Sequence, residues 1–268
     1  MNTVPLTDAP VRIIQDHGVS TVQIHRPTAM NALDMATKHA LLTALTDVAQ
    51  DDNVRCVVLT GAGRAFCVGQ DLHEHVAALT ADHEALGTTV TEHYNPIVSL
   101  LATMDKPVIA AINGVAAGAG MAFAFAADLR VMAASAGMNP AFAGIALSCD
   151  SGTSYWLPRL VGPARAKALL LRPRTIPADE CLRLGLIDQL VPDDELESTV
   201  AQLASDLAAG PTLAYGALRR SVAYGAGHDL EQTLEFEAQM MARTGASADH
   251  RVAVEAFLTK QAPQFNGR

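Results

Sequence analysis

The sequence has 268 residues and is short of basic ones: nineteen lysines and arginines face twenty-eight acidic residues, leaving a net charge of −9. No basic tract interrupts it. Phosphate backbones and anionic bilayers repel such a chain at long range, which excludes general nucleic-acid or membrane-surface binding. A local cluster of donors can still hold a small anionic ligand. Cysteine is scarce as well: Cys56, Cys67, Cys149 and Cys181 form neither a C-x-x-C pair nor a tight cluster. They read as reduced, mostly buried thiols of a cytoplasmic protein. Met1 to Pro10 lacks a basic region followed by an apolar core, so no signal peptide is read there.

Several motifs are absent too. Gly61-Ala62-Gly63 and Gly118-Ala119-Gly120 each lack the third glycine of G-x-G-x-x-G, and there is no P-loop. No G-x-S-x-G elbow marks a nucleophilic serine, and no H-E-x-x-H marks a zinc site. His73-Glu74-His75, with His83 downstream, puts its first two rings about 200° apart on a helix, which does not converge on a metal. The two glycine runs share the pattern G-A-G-x-A-F, each after an apolar strand. That suggests one device used twice, a turn where backbone must come close to something.

What is present argues for a folded α/β protein. Half of the residues are hydrophobic and 18% charged, which excludes bulk disorder. Val108 to Ala127 is free of charge over twenty residues, about a bilayer's length. It divides at Asn113-Gly114 into a β-branched half and a helix-forming half, so a buried strand, turn and helix are expected. Further strands are expected over 12–16, 19–25, 54–60, 129–133 and 186–191. Asp34 should cap a helix running to Gln50, and a helix over 72–101 should break near Gly87. Helices with a break at Gly162-Pro163 should fill 152–171, and a short one 178–184. Beyond Pro192 only helices are expected, which gives residues 1–192 as an α/β core and 193–268 as a helical appendage.

Asp150 ends the apolar run Ile145 to Cys149, just before a helix. Asp is a preferred N-cap, so a capping role is one reading. A carboxylate at such a place is also suited to act as a base with a raised pKa.

Taken together, these segments resemble the crotonase superfamily, the enoyl-CoA hydratases and isomerases. His25-Arg26-Pro27-Thr28-Ala29-Met30-Asn31-Ala32-Leu33 is similar to that family's R-P-x-x-x-N-A-L segment, and Phe66 to Leu72 to its F-x-x-G-x-D-[IL]. Lys106 to Gly114 with Gly118-Ala119-Gly120 resembles K-P-[VT]-I-A-A-[IV]-x-G-x-x-x-G-G-G, and Leu157 to Gly162 and Ala178 to Pro192 resemble its downstream segments. The resemblance implies a spiral of ββα units and C-terminal helices that form a trimer or a dimer of trimers. It implies an acyl-CoA substrate and no separate cofactor, coenzyme A entering with the thioester. By position, the backbone N–H groups of Gln70 and Ala119 would hold the thioester oxygen. Ala29, Gln70, Asp71, Leu72 and Phe142 would line the substrate site. Arg26 would meet the coenzyme A phosphates, and Lys260 would make a C-terminal contact.

The departures bear on the reaction. The family's hydratases use two glutamates, and the matching positions here are Ala122 and Phe142. Asp150 matches a lone acidic residue kept by Δ3,Δ2-enoyl-CoA isomerases, in which one carboxylate takes a proton from C2 and returns it at C4. The same position resembles the nucleophilic Asp of 4-chlorobenzoyl-CoA dehalogenases, whose histidine base falls here on Asn95, with His93 nearby. A hydratase-like lyase using other residues, and an acyl-CoA binder without chemistry, also stay open.

Overall fold

The computed structural model describes residues 9–81 and 88–268. The expectations for the first eight residues, for His83 and for a break at Gly87 lie outside the described residues. β1 (Val11–Asp16) and β2 (Val19–Ile24) form the expected hairpin, turning at Gly18 with φ +83°. Asp34 caps α1 (Met35–Gln50) as expected, its Oδ1 accepting from Thr37 N at 2.8 Å.

From there the chain repeats one unit, a longer strand, a three-residue strand and a helix. The first turn is β3 (Cys56–Gly61), β4 (Ala65–Cys67) and α2 (Leu72–Ala81). A π-helical turn (Val90–Tyr94) and α3 (Asn95–Thr103) lead to the second, β5 (Val108–Ile112), β6 (Val115–Ala117) and α4 (Ala119–Ala126). A third pair follows, β7 (Leu129–Ala133) and β8 (Gly137–Asn139). α5 (Thr153–Val161), α6 (Pro163–Leu171) and α7 (Ala178–Leu184) then surround β9 (Ile176–Pro177), before β10 (Gln189–Val191). The longer strands enter one sheet in the order β1-β2-β3-β5-β7-β10, and the short ones enter a second, β4-β6-β8-β9. The architecture is the spiral of ββα units that the resemblance implied. Each turn places one strand in each sheet.

Three differences from the sequence expectations stand out. β4, β6 and β8 were not anticipated, because three residues are too few to show a two-residue period. The strand expected over 186–191 is confined to Gln189–Val191. Helices alone follow Pro192, as expected, but the first long one packs into the core. α8 (Leu196–Ala209) buries Leu196, Val200, Ala204 and Ala208 in the same core as β3 and β5, so packing changes character after Gly210. That cover explains why all five residues of β5 are buried and apolar, as in strands packed on both faces. No helix among the described residues is long and apolar enough to cross a membrane.

α9 (Thr212–Gly225) is clamped to the core by Arg219, which donates to Asp128 Oδ1 at 2.7 Å, to Leu101 O at 2.7 Å and to Met104 O. α10 (Leu230–Gly245) packs on α9, and α11 (Ala248–Thr259) follows. These helices leave Leu218, Val222, Leu230, Met241 and Phe257 exposed. In the spiral, Asn31 and Asn113 hold the corner between β3 and β4. Asn31 Nδ2 donates to Ala62 O at 2.9 Å and Asn113 Nδ2 to Gly63 O at 2.8 Å. A Cβ at Gly61 would stand 2.2 Å from Ala65 O, so that glycine run is a packing device.

Candidate active site

β4 and β6 are parallel neighbours, so their C-terminal ends open side by side. The segments leaving them meet there, Val68-Gly69-Gln70 from one and Gly118-Ala119 from the other. Gly69 has φ +83°, and a Cβ on it would lie 3.0 Å from Ala117 O and 3.4 Å from Ala119 N. Only a glycine lets the two backbones approach this closely. The functional counterpart of Gly118 is therefore Gly69, and the echo of Gly61 and Gly118 joins two turns with different tasks. Leu33 N donates to Gly69 O at 2.8 Å and Asp71 N donates to Leu33 O at 3.2 Å. This parallel bridge turns the Gln70 N–H away from Leu33. Among the described residues neither the Gln70 nor the Ala119 N–H has a protein acceptor. Ala119 also opens α4, whose first N–H groups and dipole favour negative charge.

Both residues line a cavity of about 990 Å³, together with Ala29, Met30, Leu72, Tyr94, Phe142, Leu147 and Asp150. Its wall is mostly apolar, with few polar groups, the usual character of a small-molecule site. The N–H pair is suited to an oxygen that gains negative charge during a reaction.

Asp150 is half-buried in that wall. Its Oδ1 accepts from Ser151 Oγ at 2.8 Å, and among the described residues no cation pairs with it. Burial pushes its carboxyl above the ordinary range, and the Ser151 hydroxyl only partly opposes this. The capping role is overturned. Gly152, at φ +76°, is the N-cap of α5, and Thr153 N takes the backbone carbonyl of Asp150 at 2.9 Å, which leaves the side chain to the cavity.

Asp71 lines the cavity too, but its carboxylate is occupied. It accepts from Arg26 Nη1 at 2.9 Å and, capping α2, from His73 N at 3.0 Å. Burial alone would raise its pKa, and Arg26 with the two N–H groups of α2 outweighs that and holds it below the ordinary range. Arg26 is occupied in turn, by Asp71, by Asp34 at 3.0 Å and by Ala32 O at 2.6 Å. It does not line the cavity, whereas the exposed Arg64 does. The guanidinium expected to meet phosphates thus makes its contacts with protein acceptors through Nη1 and Nη2. Lys260 caps the end of α11 with φ 55° and is exposed outside the cavity wall.

Ala122 is completely buried on α4 and absent from the wall, while Phe142 lies in it at 7% exposure. His73 and His75 line the cavity, but no group of His, Cys, Asp or Glu suited to a metal occurs among the described residues. Asn95 is exposed and His93 is buried against His39, ring centres 4.8 Å apart, and neither lines the cavity. Burial, then the charges of His39 and Lys38, lower the His93 pKa. The residues of this turn that line the cavity are Val90, Thr91 and Tyr94, and the sequence reading missed Tyr94. Its hydroxyl donates to Gln70 Oε1. Behind it lie Lys38 and Glu74, also missed. The available signal was a lysine three residues before Leu41, in line with the apolar face of α1.

Residues 15–268 match the sequence profile of the enoyl-CoA hydratase/isomerase family. A 1,2-epoxyphenylacetyl-CoA isomerase of Escherichia coli (strain K12) is 40% identical, the match covering 94% of this chain and 97% of that protein. A 4-chlorobenzoyl coenzyme A dehalogenase of an Arthrobacter species is 33% identical over 87% of this chain and 84% of its own. A crystal structure from Mycobacterium abscessus, described under the same family, superposes with a TM-score of 0.92 at 43% identity, covering 96% of this chain and all of that one.

Proposed function

As the chain belongs to the enoyl-CoA hydratase/isomerase family, we propose that it isomerises a Δ3-enoyl-CoA to the Δ2 form with Asp150 as its base. One observation carries this reading: Asp150 is the cavity carboxylate left without a cation, while the two hydratase positions hold Ala122 and Phe142. The thioester oxygen would sit between the N–H groups of Gln70 and Ala119. Asp150 takes a proton from C2, the electron pair moves onto the thioester oxygen, and the proton returns at C4. The two N–H groups stabilise that enolate. A carboxyl raised by burial works as a base closer to neutral pH. The apolar wall around Phe142 excludes water and favours proton transfer over hydration.

The test offers the protein a 3-enoyl-CoA and a 2-enoyl-CoA separately in heavy water, with products followed by mass spectrometry. Conjugation of the 3-enoyl substrate, lost in Asp150→Asn, is expected. Water addition to the 2-enoyl substrate, or equal activity of Asp150→Asn, would overturn the reading.

The name of the Escherichia coli relative favours a second reading, isomerisation of an epoxidised arylacetyl-CoA in the same cavity. Turnover of 1,2-epoxyphenylacetyl-CoA in preference to 3-enoyl-CoA would select it. Dehalogenation has less support, because Tyr94 and not His93 or Asn95 faces the cavity. The exposed apolar side chains of α9 to α11 support self-association into a trimer or a dimer of trimers.

A further inference from the structure

Behind the cavity wall lies a charge that the isomerisation does not use. Lys38 stands on the core face of α1 with its side chain completely buried. Its Nζ donates to Glu74 Oε1 at 2.7 Å, reaches Thr89 Oγ1 at 3.5 Å and lies 5.9 Å from the centre of the Tyr94 ring. A buried ion pair is a weak device for stability, since apolar residues of similar volume often serve as well. Here the pair sits at the start of a chain of bonds. Glu74 Oε1 also accepts from Gln70 Nε2 at 3.2 Å, and Glu74 Oε2 accepts from Met35 N, at the start of α1, at 2.5 Å. Gln70 Oε1 accepts the Tyr94 hydroxyl. Both ends of the Gln70 amide are therefore held, by groups on α2 and on the π-helical turn. Gln70 also carries one of the two N–H groups without a protein acceptor.

We infer that Lys38 is a positioning residue for the reaction: by holding Glu74 it fixes the Gln70 side chain, and with it the direction of the Gln70 N–H. This rests on the thioester reading of the cavity, and adds to it the buried charge that orients one donor. Oxyanion donors act through geometry, and small misplacements cost rate without costing affinity in proportion. Lys38 itself is not part of the cavity wall, and its shortest link to the wall runs through Glu74 to Gln70, with a longer contact to Thr89.

The test binds hexanoyl-CoA, isotope-labelled at its thioester carbonyl, to the full-length protein and reads the carbonyl stretch by isotope-edited infrared spectroscopy. Binding to the parent protein should lower that frequency, as hydrogen bonds to the oxygen do. Lys38→Met should lose about half of the lowering and reduce kcat on 3-hexenoyl-CoA about tenfold, with KM changed less than about twofold. Lys38→Arg should retain most of both. Gln70→Ala keeps the backbone N–H, removes both side-chain anchors and leaves the buried ion pair intact. It should reproduce the losses of Lys38→Met, and it decides the matter if Lys38→Met fails to fold. A folded Lys38→Met or Gln70→Ala whose carbonyl band and kcat equal the parent's would overturn the positioning role and leave the thioester reading standing. Absence of any shift in the parent would overturn both.

Discussion

Asp71 and Asp150 line the same cavity, one where α2 begins and the other just before α5. Asp71 meets a guanidinium and two helix N–H groups, and is held below the ordinary carboxylate range despite its burial. Asp150 meets one hydroxyl, and burial holds it above that range. The same side chain is thus a paired anion at one corner and, in the proposed reaction, the base at the other. What separates them is the number of donors each fold element supplies: a helix start with Arg26 beside it saturates one carboxylate. The left-handed turn at Ser151 and Gly152 turns the other away from its helix.

The contrast can be broken experimentally. Asp150→Asn, which removes the base and keeps the shape, should lower kcat on a 3-enoyl-CoA by about a hundredfold or more, measured by steady-state turnover. Gly69→Ala should cost about ten- to a hundredfold in kcat, because its Cβ forces the Gln70 and Ala119 segments apart. Its acyl-CoA affinity, from titration calorimetry, should change far less. Asp71→Asn removes a helix cap and the partner of Arg26. It should lower stability to urea by about 1–2 kcal/mol and leave the acid limb of the pH–rate profile unmoved.

The smallest effect sharpens the comparison through pH. Because the folded state raises the Asp150 pKa, ionised Asp150 destabilises the fold above that pKa. Asp150→Asn should therefore unfold at a higher temperature than the parent near neutral pH. That difference should vanish as pH falls below the ordinary carboxylate value, where Asp150 is protonated folded or unfolded. Asp71 has the opposite sign. Its contribution is present above the ordinary carboxylate value and is lost as pH falls through its lowered one. Near neutral pH the melting temperatures of the two variants should thus differ from the parent's in opposite directions, and both differences should close as pH falls.

The fold was legible wherever neighbours in sequence decide conformation. Asp34 caps α1 through Thr37, three residues on, and Gly185 ends α7 in the left-handed conformation. The apolar run of β5 reads as a doubly covered strand without knowledge of its neighbours. Asp150 was singled out by its place at the end of an apolar run, Gln70 and Ala119 by resemblance to a family, and the three do line one cavity. The ion pairs of Arg26 were not legible because its acceptors, Asp71 and Asp34, lie on other elements. Tyr94 was missed because nothing in the spacing of the π-helical turn shows which side chain faces inward.

The amino-acid sequence by itself determined the helices, the longer strands and the glycine turns, since each depends on residues within a few positions of one another, and by resemblance it showed Ala122 and Phe142 at the hydratase positions. The tertiary structure decided which carboxylate lacks a cation, which arginine is paired, and that the charge of Lys38 lies beneath the cavity. The reason is adjacency. Gln70 and Ala119 meet because β4 and β6 pair in parallel, and whether a charge is paired or solvated depends on chain segments folded against it from elsewhere in the sequence.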